Sequence, residues 1–543
     1  MAAESIGSMV RRTRSGAVGG AHVNGVLSWK GIPYAAPPWR DRRFRGPQRE
    51  HPWEGIRDAT RFGPMAPQTV LRSMEVSPGV KISENCLTLN VFAPESAARG
   101  DQLKPVMVWI HGGGYFAGTA AQRFYDPSVL VREGDVVVVT VGYRLGVLGF
   151  VDFTSFDPTG ELGFESNLGL RDQIAALEWV RDTIAEFGGD PGDVTLFGES
   201  AGGGCVVSLL ASPRAEGLFH RAIAQSAPVT SVYGPERSAA VASRFLEIAG
   251  IDPAHPAELR ERSAREMVDR GSELITQVSS EIPGTLALAP VVDGDVLPDY
   301  PLEIVRAGRA HPVPLIIGTN HDESSFFRLM RSPLMPITSE AVDQMFTELA
   351  LGRPELQGVG DRITSAYPAY PRHRTPSEVS RDAAFRMPSI WLAEAHSRRA
   401  PTYMYRFDHA TPLLKRSGMG ATHASELAYV FGSFGPWGRD VVFALGGRRE
   451  AMAVSKRMRE RWTSFARTGV PTADPAGAST ADPAGASTAD PAGVPTADSD
   501  ALHWPAYDED TRATLIIDAQ DEIVPDPDSA VRRAWGPEVL SFL

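Results

Sequence analysis

The chain has 543 residues, 43% of them hydrophobic and 22% charged, and a formal net charge of −12 at pH 7. This composition is globular, with apolar material for a large core, and its acidic balance excludes the basic face that a nucleic-acid partner needs. Two cysteines, Cys86 and Cys205, are too few for a disulfide framework and lack the spacing of metal ligands, so they read as buried thiols in a reducing compartment.

The basic start, Arg11-Arg12-Thr13-Arg14, reads as a solvated tail. No apolar core follows it, so the expectation is no secretory leader and a cytoplasmic location. Residues 106–110 form the first apolar β-branched run, ending in His111 and three glycines. The most apolar run, 136–141, is a buried strand and far too short to span a bilayer. An amphipathic helix follows: Leu170, Ile174, Leu177, Ile184 and Phe187 recur at helical spacing, and Gly188-Gly189 and Pro191 stop it. Further strands are expected at 194–197, 315–317, 403–407 and 515–517. Strand, helix, strand in this order implies a parallel crossover and a mostly parallel sheet with helices on both faces, an α/β fold. The stretches of about 235–310 and 339–399 are charged and helical in pattern, excursions from the sheet within a single domain. Over 471–502, Pro471-Thr472-Ala473-Asp474-Pro475-Ala476-Gly477-Ala478 recurs with an eight-residue period. That period is too short for a solenoid unit, and small residues with Pro and Gly cannot offset ordering entropy. A disordered surface loop is expected there.

Gly198-Glu199-Ser200-Ala201-Gly202 is G-x-S-x-G. The motif alone is weak, but here it follows an apolar strand and precedes a small-residue run able to begin a helix. That is the setting of a strained nucleophile elbow, with Ser200 as the nucleophile and the helix N-terminus favouring negative charge. In His111-Gly112-Gly113-Gly114-Tyr115, three glycines let backbone N–H groups turn toward an oxyanion without obstruction. A serine needs a base, usually a later histidine oriented by a carboxylate. His423 stands out, in a polar loop entering an apolar helix; His321, beside Asp322-Glu323 after a strand, competes, and spacing leaves the choice open.

Taken together these residues resemble the type-B carboxylesterase and lipase family, over nearly the whole chain. Lys30-Gly31-Ile32-Pro33-Tyr34-Ala35 and Arg43-Phe44 resemble its opening. Ser83-Glu84-Asn85-Cys86-Leu87-Thr88-Leu89-Asn90-Val91 resembles its second signature, and residues 197–203 its serine signature. Gly318-Thr319-Asn320-His321-Asp322-Glu323 resembles the segment bearing the acid, and His423-Ala424-Ser425-Glu426 with Val430-Phe431-Gly432 the histidine segment. Trp462-Thr463-Ser464-Phe465-Ala466-Arg467-Thr468-Gly469 matches a C-terminal helix.

The resemblance implies an α/β-hydrolase fold and a serine hydrolase acting through an acyl-enzyme on small or medium hydrophobic esters. Its triad would be Ser200, Glu323 and His423, with Gly113, Gly114 and Ala201 as the oxyanion hole. Ser226 would brace the acid and base, and Glu199 and Glu426 would lie near the histidine. Arg144 would pair with Asp172, and Arg43 with Glu84. The partner is a small-molecule ester, and no cofactor or metal is needed. The free-enzyme acid limb is expected near the histidine reference of about 6.5. Some positions depart from the family. Ala66 stands where secreted relatives carry a cysteine partner for Cys86. Asn85 replaces the usual aspartate, and Trp39-Arg40 replaces a common Val-Gly. No tryptophan occurs in 68–83 to hold a quaternary ammonium, so choline esters are not preferred substrates. A carbamate or amide hydrolase with the same triad is the alternative. A non-catalytic scaffold is a remote one, since such relatives typically lack the serine or histidine.

Overall fold

The computed structural model describes residues 9–70, 74–100, 102–330, 332, 334–351, 353–434, 441–472 and 502–537. The repeat read over 471–502 therefore lies, from 473 to 501, outside the described residues.

In chain order the strands are β1 (Val10–Arg12), β2 (Ala17–Gly19), β3 (Ala21–Val23), β4 (Val26–Pro33), β5 (Ile56–Asp58), β6 (Thr88–Pro94), β7 (Lys104–Ile110), β8 (Val137–Val141), β9 (Gly189–Glu199), β10 (Arg221–Gln225), β11 (Leu315–Asn320), β12 (Thr402–Phe407), β13 (Ala513–Ile517) and β14 (Glu522–Pro525). Strands β1, β2 and β5 make a small sheet. The others form one sheet of eleven, ordered β14-β13-β12-β11-β10-β9-β7-β8-β6-β4-β3. From β13 to β8 every pairing is parallel, while β14 at one edge and β6, β4 and β3 at the other pair antiparallel. The parallel heart agrees with the apolar runs of the sequence.

Period-2 alternation sends successive side chains of these strands into two cores. Val106, Val108 and Ile110 enter one core, with the helices Leu168–Thr183 and Ala201–Ala211. Met107 and Trp109 enter the other, beside Met458, Trp462 and Phe465 of the helix Arg448–Thr468. The helix expected around 170–187 is α-helical over Leu168–Thr183 and tightens to a 3₁₀ turn over Ile184–Phe187, and Gly188 at φ 84° stops it. Helices Pro235–Ala249, Ala264–Glu281, Ser339–Ala350 and Met387–Ser397 rise beside the sheet. Among the described residues no helix is long and apolar enough to cross a membrane.

Both implied ion pairs form. Arg144 clasps Asp172 with Nε–Oδ2 at 2.8 Å and Nη2–Oδ1 at 2.6 Å, and its backbone N–H adds a third bond at 3.0 Å. Arg43 meets Glu84 at 2.8 and 2.5 Å and spends its remaining nitrogen on the carbonyls of Leu259, Arg260 and Arg262. These bonds fasten the N-terminal segment and the crossover helix around the C-terminal ends of the parallel strands, where an open α/β sheet places its site.

Candidate active site

Strand β9 ends at Glu199, and the chain turns sharply at Ser200 (φ 56°, ψ −128°) straight into the helix Ala201–Ala211. A non-glycine residue held at positive φ is costly and persists only where its surroundings enforce it. Here the enforcement is close packing of the turn on β7. A Cβ on Gly202 would collide with the carbonyls of Ile110 and His111, so the elbow sits against that strand only with glycine there. The Ser200 N–H is fixed by the carbonyl of Gln225 at 2.9 Å.

The hydroxyl of Ser200 lies 2.9 Å from Nε2 of His423, whose Nδ1 lies 2.6 Å from Oε2 of Glu323. These three residues come from the ends of β9 and β11 and from the loop after β12, 100 and 223 positions apart along the chain. Glu323 is fully buried, and its other oxygen accepts from the Ser226 hydroxyl at 2.6 Å and the Asn320 N–H at 2.7 Å. Ser226 thus reaches the imidazole only through Glu323. His321, the competitor from spacing, instead turns its ring to Asp322 at 3.2 Å, with 44% of its side chain exposed.

Gly113 (φ 119°) and Gly114 (φ 63°) follow β7. A Cβ on Gly113 would run into the carbonyl of Ala117, which in turn closes the loop through its N–H to the Gly113 carbonyl at 2.9 Å. Ala201 opens its helix, so its N–H has no carbonyl one turn earlier to bond. His111 stacks on Tyr143 at 4.4 Å, and the Tyr143 hydroxyl donates to the His111 carbonyl at 2.6 Å. Burial lowers His111 to about 4, so it braces this strip as a neutral ring.

Three carboxylates surround the imidazole. Glu199 Oε1 is 3.2 Å from Nε2 of His423, almost as near as Ser200. Glu426, fully buried, accepts from Asn320 Nδ2 at 2.5 Å and Gln225 Nε2 at 3.1 Å. Burial raises the Glu199 carboxyl, with the His423 charge opposing and Glu426 and Glu323 adding to it. Burial likewise raises Glu426, with Glu323 next in effect. For His423, burial works to lower the value, but the charges of Glu199, Glu323 and Glu426 and the bond to Glu323 outweigh it and bring it up to about 9. The sequence reading, with its limb near 6.5, could not weigh three buried carboxylates against one ring.

Several contacts were passed over in the sequence. Asn320 ties Glu323 to Glu426, and Gln225 reaches Glu426 while accepting from Trp462 Nε1 at 3.2 Å. Gln68 holds the loop after the glycines through Gly118, with bonds of 2.8 Å in both directions. Phe327 and Phe385 pack on the His423 ring at 5.3 and 4.8 Å. A usable signal existed for Asn320, which ends the strand expected over 315–317, whereas Gln225 ends β10, the strand beside the serine strand, which the sequence did not show.

A sharp strand–turn–helix serine over a parallel sheet, with an imidazole and a buried carboxylate in line, defines an α/β-hydrolase. Residues 7–533 match the sequence profile described as Carboxylesterase family. The chain is 36% identical over 527 residues to the para-nitrobenzyl esterase of Bacillus subtilis (strain 168), covering 97% of this chain and 98% of that one. It is 36% identical over 505 residues to a cocaine esterase of Oryctolagus cuniculus, covering 86% and 89% respectively. The solved structure of a thermophilic PNB esterase superposes with a TM-score of 0.83 at 36% identity, over 97% of this chain and 100% of that one. The chain belongs to the carboxylesterase family and is a serine carboxylic ester hydrolase.

Proposed function

We propose that Ser200 attacks the ester carbonyl while His423 takes its proton, and that Glu323 fixes the imidazole tautomer and stabilises the imidazolium. The N–H groups of Gly113, Gly114 and Ala201 receive the oxyanion, each worth about 3 kcal/mol of barrier. His423 then protonates the leaving alcohol, and water discharges the acyl-enzyme by the same route. The observation that carries this reading is the unbroken line from Ser200 Oγ through the His423 ring to Glu323, at 2.9 and 2.6 Å.

Small or medium hydrophobic esters suit the surroundings. A cavity of about 200 Å³ lies beside the oxyanion strip, walled by Phe116, Leu145, Val147, Leu148, Met267 and Leu288. Phe116 packs directly on Gly114. A turnover panel of nitrophenyl esters, aryl carbamates and triglycerides tests the reading. Nitrophenyl esters of short and medium acids are expected to be fastest, and carbamates turning over faster than esters would overturn it. A cytoplasmic location is part of the same proposal, supported by Cys86 and Cys205, both buried and unpaired.

The carboxylate ring predicts the pH profile. His423 acts as base only when neutral, so a value raised to about 9 puts the acid limb of kcat/KM above the ordinary histidine range. Glu199→Gln removes one of the charges that favour the imidazolium, so the limb is expected to move down by about one pH unit. An unmoved limb in this variant, measured with 4-nitrophenyl acetate, would refute the electrostatic account.

A further inference from the structure

The helix that runs from Thr375 to Ser397 is not uniform. It is α-helical over Thr375–Arg381, widens to a π turn over Asp382–Arg386 and returns to α over Met387–Ser397. The Met387 N–H reaches back to the carbonyl of Asp382. Pro388, just beyond, accounts for the widening. It has no N–H to give to the carbonyl of Ala384, and in a regular α turn its ring would press on that carbonyl. A π turn relieves both, and such turns recur at functional sites. This one carries Phe385, whose ring is 4.8 Å from the His423 ring and 32° from parallel to it.

The same segment is anchored on its other side. Asp382, fully buried, holds Arg381 by bonds of 2.7 and 3.1 Å and accepts from the Tyr367 hydroxyl at 2.5 Å, which in turn accepts from Trp535 Nε1 at 2.9 Å. Arg381 donates to the carbonyl of His321 at 3.0 Å, two residues before Glu323. One helical segment therefore bears on both the ring of His423 and the backbone that presents its carboxylate.

The imidazole needs such a constraint. Its Nδ1 has one partner, Glu323, and besides Phe385 the ring packed on it is Phe327, more distant at 5.3 Å, so a pivot about the Nδ1 bond has to be limited by these rings. Its Nε2 stands between Ser200 Oγ at 2.9 Å and Glu199 Oε1 at 3.2 Å, and only the first is productive. We propose that Phe385 is a positioning residue: held over the His423 ring by a π turn that Pro388 enforces, it confines the imidazole to the rotation in which Nε2 faces Ser200. This rests on the reading of His423 as the base.

The test measures kcat, KM, the pH profile and the melting temperature of the full chain with 4-nitrophenyl acetate. Phe385→Ala is expected to lower kcat about tenfold with KM within about twofold. It is also expected to move the acid limb downward, because water reaching the ring screens the carboxylate charges that outweigh burial and hold its value up. Phe385→Tyr should recover most of the loss. Pro388→Ala touches no group at the site and gives the helix back an N–H. It is expected to keep or raise the melting temperature while kcat falls as in Phe385→Ala, since closing the turn swings Phe385 by about 100° around the helix axis. Parental kcat and an unmoved limb in Phe385→Ala overturn the positioning role. Parental kcat in a well-folded Pro388→Ala overturns the role of the π turn. If Pro388→Ala melts early, the Phe385→Ala and Phe385→Tyr pair decides. Ser200→Ala, run in parallel, reports on the esterase reading separately, since it loses turnover whatever Phe385 does.

Discussion

Ser200→Ala is expected to lower kcat with 4-nitrophenyl acetate by about 10⁴-fold or more, with the melting temperature nearly unchanged. The substitution removes one oxygen atom, and the bond it breaks in the resting enzyme is the one to His423 Nε2. The strained turn is retained, because alanine meets the same cost at φ 56° that serine does, and the enforcement by Gly202 against β7 is untouched. The N–H groups of Gly113, Gly114 and Ala201, the proposed oxyanion donors, also remain, so slow turnover above the uncatalysed rate should persist. A fluorophosphonate should attach at Ser200 in the parent and nowhere in the variant. Stoichiometric labelling of another serine, or a variant within tenfold of the parent, would mean that a different residue is the nucleophile.

The parts legible in the sequence share a cause. Strands such as β7, β8 and β11 are buried on both faces, so their residues form unbroken apolar runs, and the chemistry sits in the turns that end them. The turns at Gly113, Gly114 and Ser200 could be read because their backbone sits at positive φ, and that geometry restricts residue type. Strand β10 was passed over because Arg221-Ala222-Ile223-Ala224-Gln225 has few β-formers. Its alanines allow the close approach of the serine helix, where a Cβ on Gly203 would already touch Gln225 and Ala227. The choice between His321 and His423 depended on which ring points at Ser200, a fact of tertiary packing that spacing does not encode; only the family resemblance favoured His423. Gln225 and Phe385 stayed hidden for the same reason. Their side chains act through contacts made across more than thirty residues of chain, and an isolated amide or phenyl ring carries no local pattern.

Glu323→Gln, which changes one atom, is expected to cost about 10⁴-fold in kcat as well. Glutamine matches glutamate in shape, so packing in this fully buried position is preserved. What changes is which atoms can accept. Oε1 of Glu323 receives two donors, the Ser226 hydroxyl at 2.6 Å and the Asn320 backbone N–H at 2.7 Å. The hydroxyl can rotate to accept, but the backbone N–H cannot. An amide NH₂ placed there would face that N–H, so the glutamine must keep its carbonyl oxygen at this position. Its NH₂ is then directed at Nδ1 of His423, where Oε2 stood 2.6 Å away. Facing a donor, Nδ1 must be the unprotonated nitrogen, and the neutral ring carries its proton on Nε2. In that tautomer Nε2 cannot accept the proton of Ser200. The lost carboxylate charge also weakens the imidazolium, so the ring should titrate at lower pH than in the parent, where Glu323 helps to raise it. The measurements are kcat with 4-nitrophenyl acetate and an imidazole titration by NMR. Turnover within tenfold of the parent, or a ring that titrates higher, would show that the Glu323 carboxylate neither sets the tautomer nor stabilises the charge.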